Sequence, residues 1–245
     1  METRKAVIRI EGLCKSFGDN VVLDHFDLTL YEGENLVVLG KSGSGKSVLI
    51  KCIIGLLHPD AGRIEVFGEN VPDLNYTELD QMRARVGFLF QSNALYDSMT
   101  VRENLEFPLR RHWMKTPQKE VDERVHEVLK NVGLAHTTEM MPAELSGGMR
   151  KRIALARTLI LHPSIILYDE PTTGLDPITG MEIIELIQQV QQEYHTASLV
   201  ISHDLKLAQI AAERVIMLID GKCYAQGTFN ELRASTDPKV KAFFD

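Results

Sequence analysis

Several things are scarce in this 245-residue sequence. It has three cysteines, Cys14, Cys52 and Cys223. They lie far apart, with no C-x-x-C pair and no matching histidine spacing, so neither a disulfide framework nor a zinc site is signalled and a reducing compartment fits best. No apolar run is long enough to cross a bilayer: Val48 to Leu57 is broken by Lys51, and the charged start METRKAVIRIEGL has no apolar stretch behind it. Basic residues are in the minority, 27 against 34 acidic, and form no stripe, which disfavours a sequence-general nucleic-acid binder. Gly/Ser linkers, repeats and low-complexity tracts are also missing. What remains is a chain with 44% hydrophobic residues, long enough to bury a core without metal or disulfide staples.

Patterning along that chain predicts an α/β fold. Short β-branched runs at Ala6 to Ile10, Val21 to Leu23 and Phe26 to Leu30, with turn residues at Gly18-Asp19-Asn20 and Glu32-Gly33-Glu34, read as antiparallel strands joined later by Arg63 to Phe67. Leu36 to Leu39 is a continuous apolar run of the buried parallel type, and a helix is expected behind it to about Leu57. Helical spacing dominates from about Thr100 to His162, with Val121, Val125, Val128, Leu129 and Val132 on one stripe. Buried strands return at Ile165 to Tyr168, Ser198 to Ile201 and Val215 to Ile219, alternating with helices from near Pro177 and Asp204. The expected organisation is one domain over 1–245. A parallel-sheet core with an antiparallel β subdomain takes 1–92 and 163–245, and an inserted α-helical subdomain takes 93–162.

Two motifs carry chemistry. Gly40-Lys41-Ser42-Gly43-Ser44-Gly45-Lys46-Ser47 satisfies G-x-x-x-x-G-K-[ST] between a buried strand and a helix. Its glycines let backbone N–H groups and the positive helix end surround phosphates. Lys46 is expected on the β- and γ-phosphates and Ser47 on Mg²⁺, with Lys41 as a solvated loop charge. Ile165-Ile166-Leu167-Tyr168-Asp169-Glu170 is an apolar strand ending in two carboxylates: Asp169 is expected to orient Mg²⁺ and Glu170 to polarise water. An ordinary connecting turn and an ordinary acidic strand end are the alternatives.

Leu145-Ser146-Gly147-Gly148-Met149, followed by Arg150-Lys151-Arg152 and an apolar helix, resembles the signature motif of ABC ATPases. Its place after the phosphate loop and before the acidic strand matches that family, and the resemblance implies that the parallel-sheet core is of the P-loop NTPase (RecA-like) type. The resemblance implies a head-to-tail homodimer with each ATP between the phosphate loop of one copy and the signature of the other. It also implies that Gln91 touches Mg²⁺ and the attacking water, and that Asp176 in Gly174-Leu175-Asp176-Pro177 couples the two sites. His203 in Ser202-His203-Asp204 resembles the switch histidine on the γ-phosphate, and Phe17 the aromatic that stacks on adenine. The remaining histidines, His25, His58, His112, His126, His136, His162 and His195, read as surface or packing residues. Val48 replaces the second hydroxyl common in the family, and Met149 its usual signature glutamine; neither touches Lys46, Asp169, Glu170 or His203.

Three longer stretches, Phe90 to Val101, Phe107 to Arg110 and Met141 to Met149, are similar to the ATPase of Mla/Mce-type phospholipid transporters, and Asp176 to Thr179 and Asp237 to Phe244 point the same way. That branch implies a multi-pass membrane permease, an Mce-domain substrate-binding protein, and a peripheral position on the cytoplasmic face of the inner membrane. Leu95 and Tyr96 stand where the family receives the permease, Trp113 identifies no partner, and a C-terminal clasp is expected to be short. Other readings are an importer of amino acids, metals or other small solutes, a lipoprotein extractor, a DNA-associated ABC ATPase, and a nucleotide-regulated interaction module.

Overall fold

The computed structural model describes residues 4–111 and 116–244, the side chain of Arg111 excepted. His112 and Trp113 lie outside the described residues. The chain opens with a long hairpin, β1 (Ala6–Phe17) and β2 (Asn20–Tyr31), turning at Gly18. The sequence pattern predicts two separate runs where β2 is one strand. The interruption is real but local: His25 takes φ 50°, and the register against β1 shifts around Leu13 and Lys15. A bulge therefore bends the ribbon without ending it.

Then follow β3 (Asn35–Leu39), α1 (Lys46–Ile53), β4 (Ala61–Val66), β5 (Glu69–Asn70), α2 (Tyr76–Ala84) and β6 (Val86–Leu89). Helix α1 stops four residues before the expected Leu57. Gly55 turns left-handed at φ 66°, and Leu56 N–H bonds back to the Lys51 carbonyl at 2.8 Å, closing the helix end. Three helices come next: α3 (Val101–Arg111), α4 (Gln118–Asn131) and α5 (Gly147–Leu159). The chain finishes with β7 (Ile165–Asp169), α6 (Pro177–Tyr194), β8 (Ala197–Ser202), α7 (Leu205–Ala211), β9 (Arg214–Ile219), β10 (Lys222–Gly227), α8 (Phe229–Arg233) and α9 (Pro238–Lys241). The sequence pattern alone assigns neither α2 nor β10, α8 and α9, whose runs are short or polar.

Two sheets result. One is antiparallel in the order β2-β1-β4-β5; the other runs β10-β9-β3-β8-β7-β6, parallel apart from the β10 edge. Strand β3 shows why they stack. Leu36 and Val38 pack with α1 and the antiparallel sheet, whereas Val37 and Leu39 pack with α3 to α6. A strand with both faces covered reads as unbroken apolar sequence, as this one does. The stripe of Val121, Val125, Val128 and Leu129 is buried along α4, against α3 and α5. Among the described residues no helix is long and apolar enough to cross a membrane.

Candidate functional site: a phosphate cradle at the carboxyl ends of the parallel strands

Strand β3 delivers the chain into Gly40 to Gly45, and β7 and β8 deliver Asp169-Glu170 and His203 to the same edge, where ligands bind in sheets of this kind. The loop is fixed by its own backbone. Gly40 N–H donates to the Ser202 carbonyl at 3.2 Å, and Lys46 Nζ donates to the carbonyls of Gly40 at 2.7 Å and Lys41 at 3.1 Å. Gly45 adopts φ 101°, and a Cβ there would lie 2.7 Å from Val22 Cγ1, so a side chain is excluded by both conformation and space.

Around that cradle six side chains form two bonded sets. Lys46 is only 5% exposed, and its ammonium lies 3.1 Å from Glu170 Oε1. Glu170 Oε2 takes hydrogen bonds from Thr173 Oγ1 at 3.2 Å and meets His203 Nδ1 at 2.8 Å. Glu170 itself stands at φ 48°, an unusual conformation for a glutamate, held by its N–H on the Ile201 carbonyl at 3.0 Å. Ser47 Oγ donates to Asp169 Oδ1 at 3.1 Å, and burial pushes the Asp169 carboxyl up while that hydrogen bond opposes it.

A cavity of about 460 Å³ gathers these groups: Phe17, Val22, Ser42, Gly43, Gly45, Lys46, Ser47, Val48, Gln91, Glu170, Thr173 and His203 line it. Phe17, 48% exposed at the end of β1, stands at its rim with Lys15 Nζ 5.5 Å from the ring centre. Lys41 faces elsewhere, lining a neighbouring groove with Val21, Leu218 and Asp220. Thr172 and Thr173 were not singled out by sequence; they look like turn residues, yet Thr173 holds Glu170 and Thr172 Oγ1 donates to Asp204 Oδ2 at 3.0 Å.

The residues suit a magnesium nucleotide. Ser47 and Asp169 offer paired hard oxygen ligands of the kind Mg²⁺ takes. Among the described residues Ser44 Oγ, which is buried, has no hydrogen-bond partner, and a Cβ on Gly40 would sit 2.4 Å from it. The cradle thus holds a polar atom with unspent hydrogen-bonding capacity.

None of Leu145 to Met149 lines this cavity. Ser146 instead caps α5, accepting from Met149 N–H at 3.2 Å, with Ser146 and Gly147 exposed at the helix start and Leu145 buried beneath. Met149 turns its side chain into the helical core. Asp176 is likewise outside the cavity; it caps α6 through Ile178 and Thr179 N–H groups, both at 3.1 Å, and the Thr179 hydroxyl, together with these N–H groups, holds its carboxyl below the usual range. Elsewhere, Cys14, Asp24 and His25 bring ligand atoms within 4.8 Å of one another across the β1–β2 bulge, which cysteine spacing alone does not reveal. Asp24 is already occupied there by Lys222 at 2.9 Å and by the His25 ring.

A phosphate loop joined to an acidic strand end on a parallel sheet defines the class: a P-loop nucleoside-triphosphate-binding protein. Residues 23–173, more than half of the chain, match the family described as ABC transporter, and the chain belongs to that family as an ATP-binding cassette. It is 38% identical over 228 residues to the intermembrane phospholipid transport system ATP-binding protein MlaF of Escherichia coli (strain K12), which covers 93% of this chain and 84% of that protein. It is 39% identical over 238 residues to the probable ribonucleotide transport ATP-binding protein mkl of Mycobacterium tuberculosis (strain ATCC 25618 / H37Rv), covering 97% of this chain. The chain spans 66% of the length of that mycobacterial relative. Among solved structures, the dimeric bacterial ABC transporter cassette MJ0796 superposes with a TM-score of 0.82 at 32% identity, covering 91% of this chain and 98% of that one. The cassette cbiO1 of Clostridium perfringens, part of an ABC transporter complex, does so with 0.86 at 28% identity, covering 98% and 95%.

Proposed function

We propose that this chain is the ATP-hydrolysing subunit of a membrane ABC transporter that carries phospholipid. The observation that carries the hydrolytic reading is the meeting of Lys46, Glu170 and His203 in one cavity with Ser47, whose hydroxyl is bonded to Asp169 behind it. Lys46 binds the β- and γ-phosphates, aided by the N–H groups of Gly40 to Ser47. Ser47, Asp169 and Gln91 would hold Mg²⁺, which would neutralise charge on the phosphate oxygens. Glu170 polarises the attacking water, and His203 steadies Glu170 and contacts the γ-phosphate. Phe17 stacks on adenine, and Val48 leaves the α-phosphate with backbone contacts.

A second copy completes each site. The exposed start of α5, with Ser146, Gly147 and Gly148 presenting backbone N–H groups, is a second anion-binding end in a chain that has one phosphate loop. The dimeric form of a 32% identical cassette supports a dimer, which in our reading is head to tail, with Leu145 to Met149 on the opposite nucleotide and Asp176 between the sites. We divide the chain functionally into 1–92 with 163–245, which hold the nucleotide, and 93–162, which carry the signature. The phospholipid cargo is supported by the MlaF relatives, of which this chain covers 84% and, in Haemophilus influenzae, 89%. The partners are then a multi-pass permease and an Mce-domain substrate-binding protein, with the chain peripheral on the cytoplasmic face of the inner membrane.

The engine is tested by Glu170→Gln, which is expected to lower turnover about 100-fold or more while retaining ATP and trapping an ATP-bound dimer. Turnover at the wild-type rate in that variant removes Glu170 from the mechanism. The cargo is tested by purifying the tagged chain from its own membranes and identifying what comes with it. A permease with an Mce-domain protein and phospholipid is the expected result; a solute receptor, or a ribonucleotide as the mkl name describes, overturns the lipid assignment.

A further inference from the structure

The loop from β6 to α3 has its carbonyls taken up by helical side chains. Asn93 and Ala94 are left-handed, at φ 65° and 50°, and Arg157 of α5 donates to their carbonyls at 3.0 Å and 2.7 Å. Asn104 of α3, fully buried, accepts from Tyr96 N–H at 2.8 Å and donates to the carbonyls of Tyr96, Met99 and Thr100. Lys151 of α5 donates to the Gln91 carbonyl at 2.9 Å.

Lys151 is the costly member of this set. It is 2% exposed, and among the described residues its ammonium has that single hydrogen bond. Burial pushes its pKa down to about 8, with the Asp169 carboxylate opposing. On α5 it precedes Leu155 and Leu159 by four and eight residues, on the stripe that enters the core, where an apolar side chain would pack without desolvating a charge. A cation buried there contributes one thing an apolar residue cannot, a fixed donor on the peptide that carries Gln91.

We infer that Lys151 is a positioning residue for ATP hydrolysis: it fastens the Gln91 peptide to the signature helix, so that α5 and the Gln91 side chain in this chain's nucleotide cavity move as one piece. Ser146, at the exposed end of α5, lies five residues from Lys151 on the same helix. Engagement of Ser146 by the opposite nucleotide would thereby be carried to the Gln91 peptide, which links the two sites of the dimer through one hydrogen bond. The inference rests on the roles given above to Gln91 and to the head-to-tail dimer.

A double-mutant cycle on ATP turnover by the full chain tests it. Lys151→Met keeps the volume and removes the donor; it is expected to lower kcat about tenfold, with half-saturating ATP unchanged within about threefold. Gln91→Ala is expected to lower kcat by a similar or larger factor, and the double variant to be no slower than Gln91→Ala alone, because Lys151 then has nothing left to position. Lys151→Arg, which restores a charged donor, is expected to recover most of the rate. A merely structural lysine would give multiplying effects in the double variant. That outcome, or wild-type turnover in Lys151→Met, overturns the inference and leaves the role of Gln91 standing. Wild-type turnover in Gln91→Ala overturns the role of Gln91, and the inference with it. Should Lys151→Met fail to fold, Lys151→Leu carries the same cycle.

Discussion

A Cβ on Gly148 would lie 2.4 Å from Cγ2 of Thr179, so the second glycine of the signature is packed directly against the first turn of α6. Thr179 cannot simply rotate away, because its hydroxyl donates to Asp176 Oδ2 at 2.6 Å. The signature and the Asp176 loop, which are distant in sequence, thus form one small assembly at a common edge. Gly148→Ala is expected to destabilise the fold by about 1–3 kcal/mol in denaturant unfolding, as overpacking does. Gly148→Ala with Thr179→Ser, which removes the methyl and keeps the hydroxyl, is expected to recover most of that loss. Equal stability of the single and double variants would mean that the contact is not the cause.

Ser146→Arg addresses the exposed end of α5. The side chain lies outside the cavity lined by Lys46 and Glu170 in its own chain, so ATP affinity of the isolated chain is expected to stay within about twofold. ATP-dependent dimerisation, read by sedimentation in the Glu170→Gln background, is expected to disappear. Loss of monomer binding would place the signature in its own chain's site.

Arg214 and Glu34 join the end of β9 to the turn before β3. Arg214 Nε donates to Glu34 Oε1 at 2.8 Å and a terminal nitrogen donates to Oε2 at 3.1 Å, while Glu34 is 4% exposed. Arg214→Ala leaves that carboxylate buried without its cation, the Tyr31 N–H at 2.9 Å still donating to Oε2, and is expected to cost about 3–5 kcal/mol. Arg214→Ala with Glu34→Gln is expected to cost less than Arg214→Ala alone, measured by urea unfolding.

Cys52 lies on α1 in the core, and burial pushes its thiol up to about 11. Alkylation at pH 8 is expected to reach Cys14 and Cys223 well before Cys52, as read by peptide mass spectrometry. The sign of its stability effect follows from the same shift. The folded state keeps this proton between the ordinary thiol value and about 11, so stability falls as pH rises through that window. Cys52→Ala, which has no thiol to ionise, is expected to show a shallower alkaline limb in thermal melts.

Much of this site was legible from the chain because its chemistry is local. Gly40 to Ser47 specify a phosphate loop through backbone freedom and one lysine, and β7 announces itself as an apolar run closed by Asp169 and Glu170. Signature residues Ser146 to Gly148 likewise carry a helix cap within four positions. The buried stripe of α4 was equally plain from its spacing. Short or polar elements such as α2, β10 and α9 gave too weak a period to be seen, and α1 ran shorter than its apolar run because Gly55 turned the backbone.

What tertiary structure alone decided is which distant groups meet. Glu34 finds its cation at Arg214, Glu170 is held between Lys46 and His203, and Lys151 ends on the Gln91 carbonyl. The sequence by itself determined the glycine-rich turn between β3 and α1, the alternation of strands and helices and the helix start at Ser146, since each depends on neighbours a few residues away. Partnerships across tens of residues depend on how sheets stack and helices cross. A buried charge, such as Lys151 in an otherwise apolar stripe, signals only that some partner must exist.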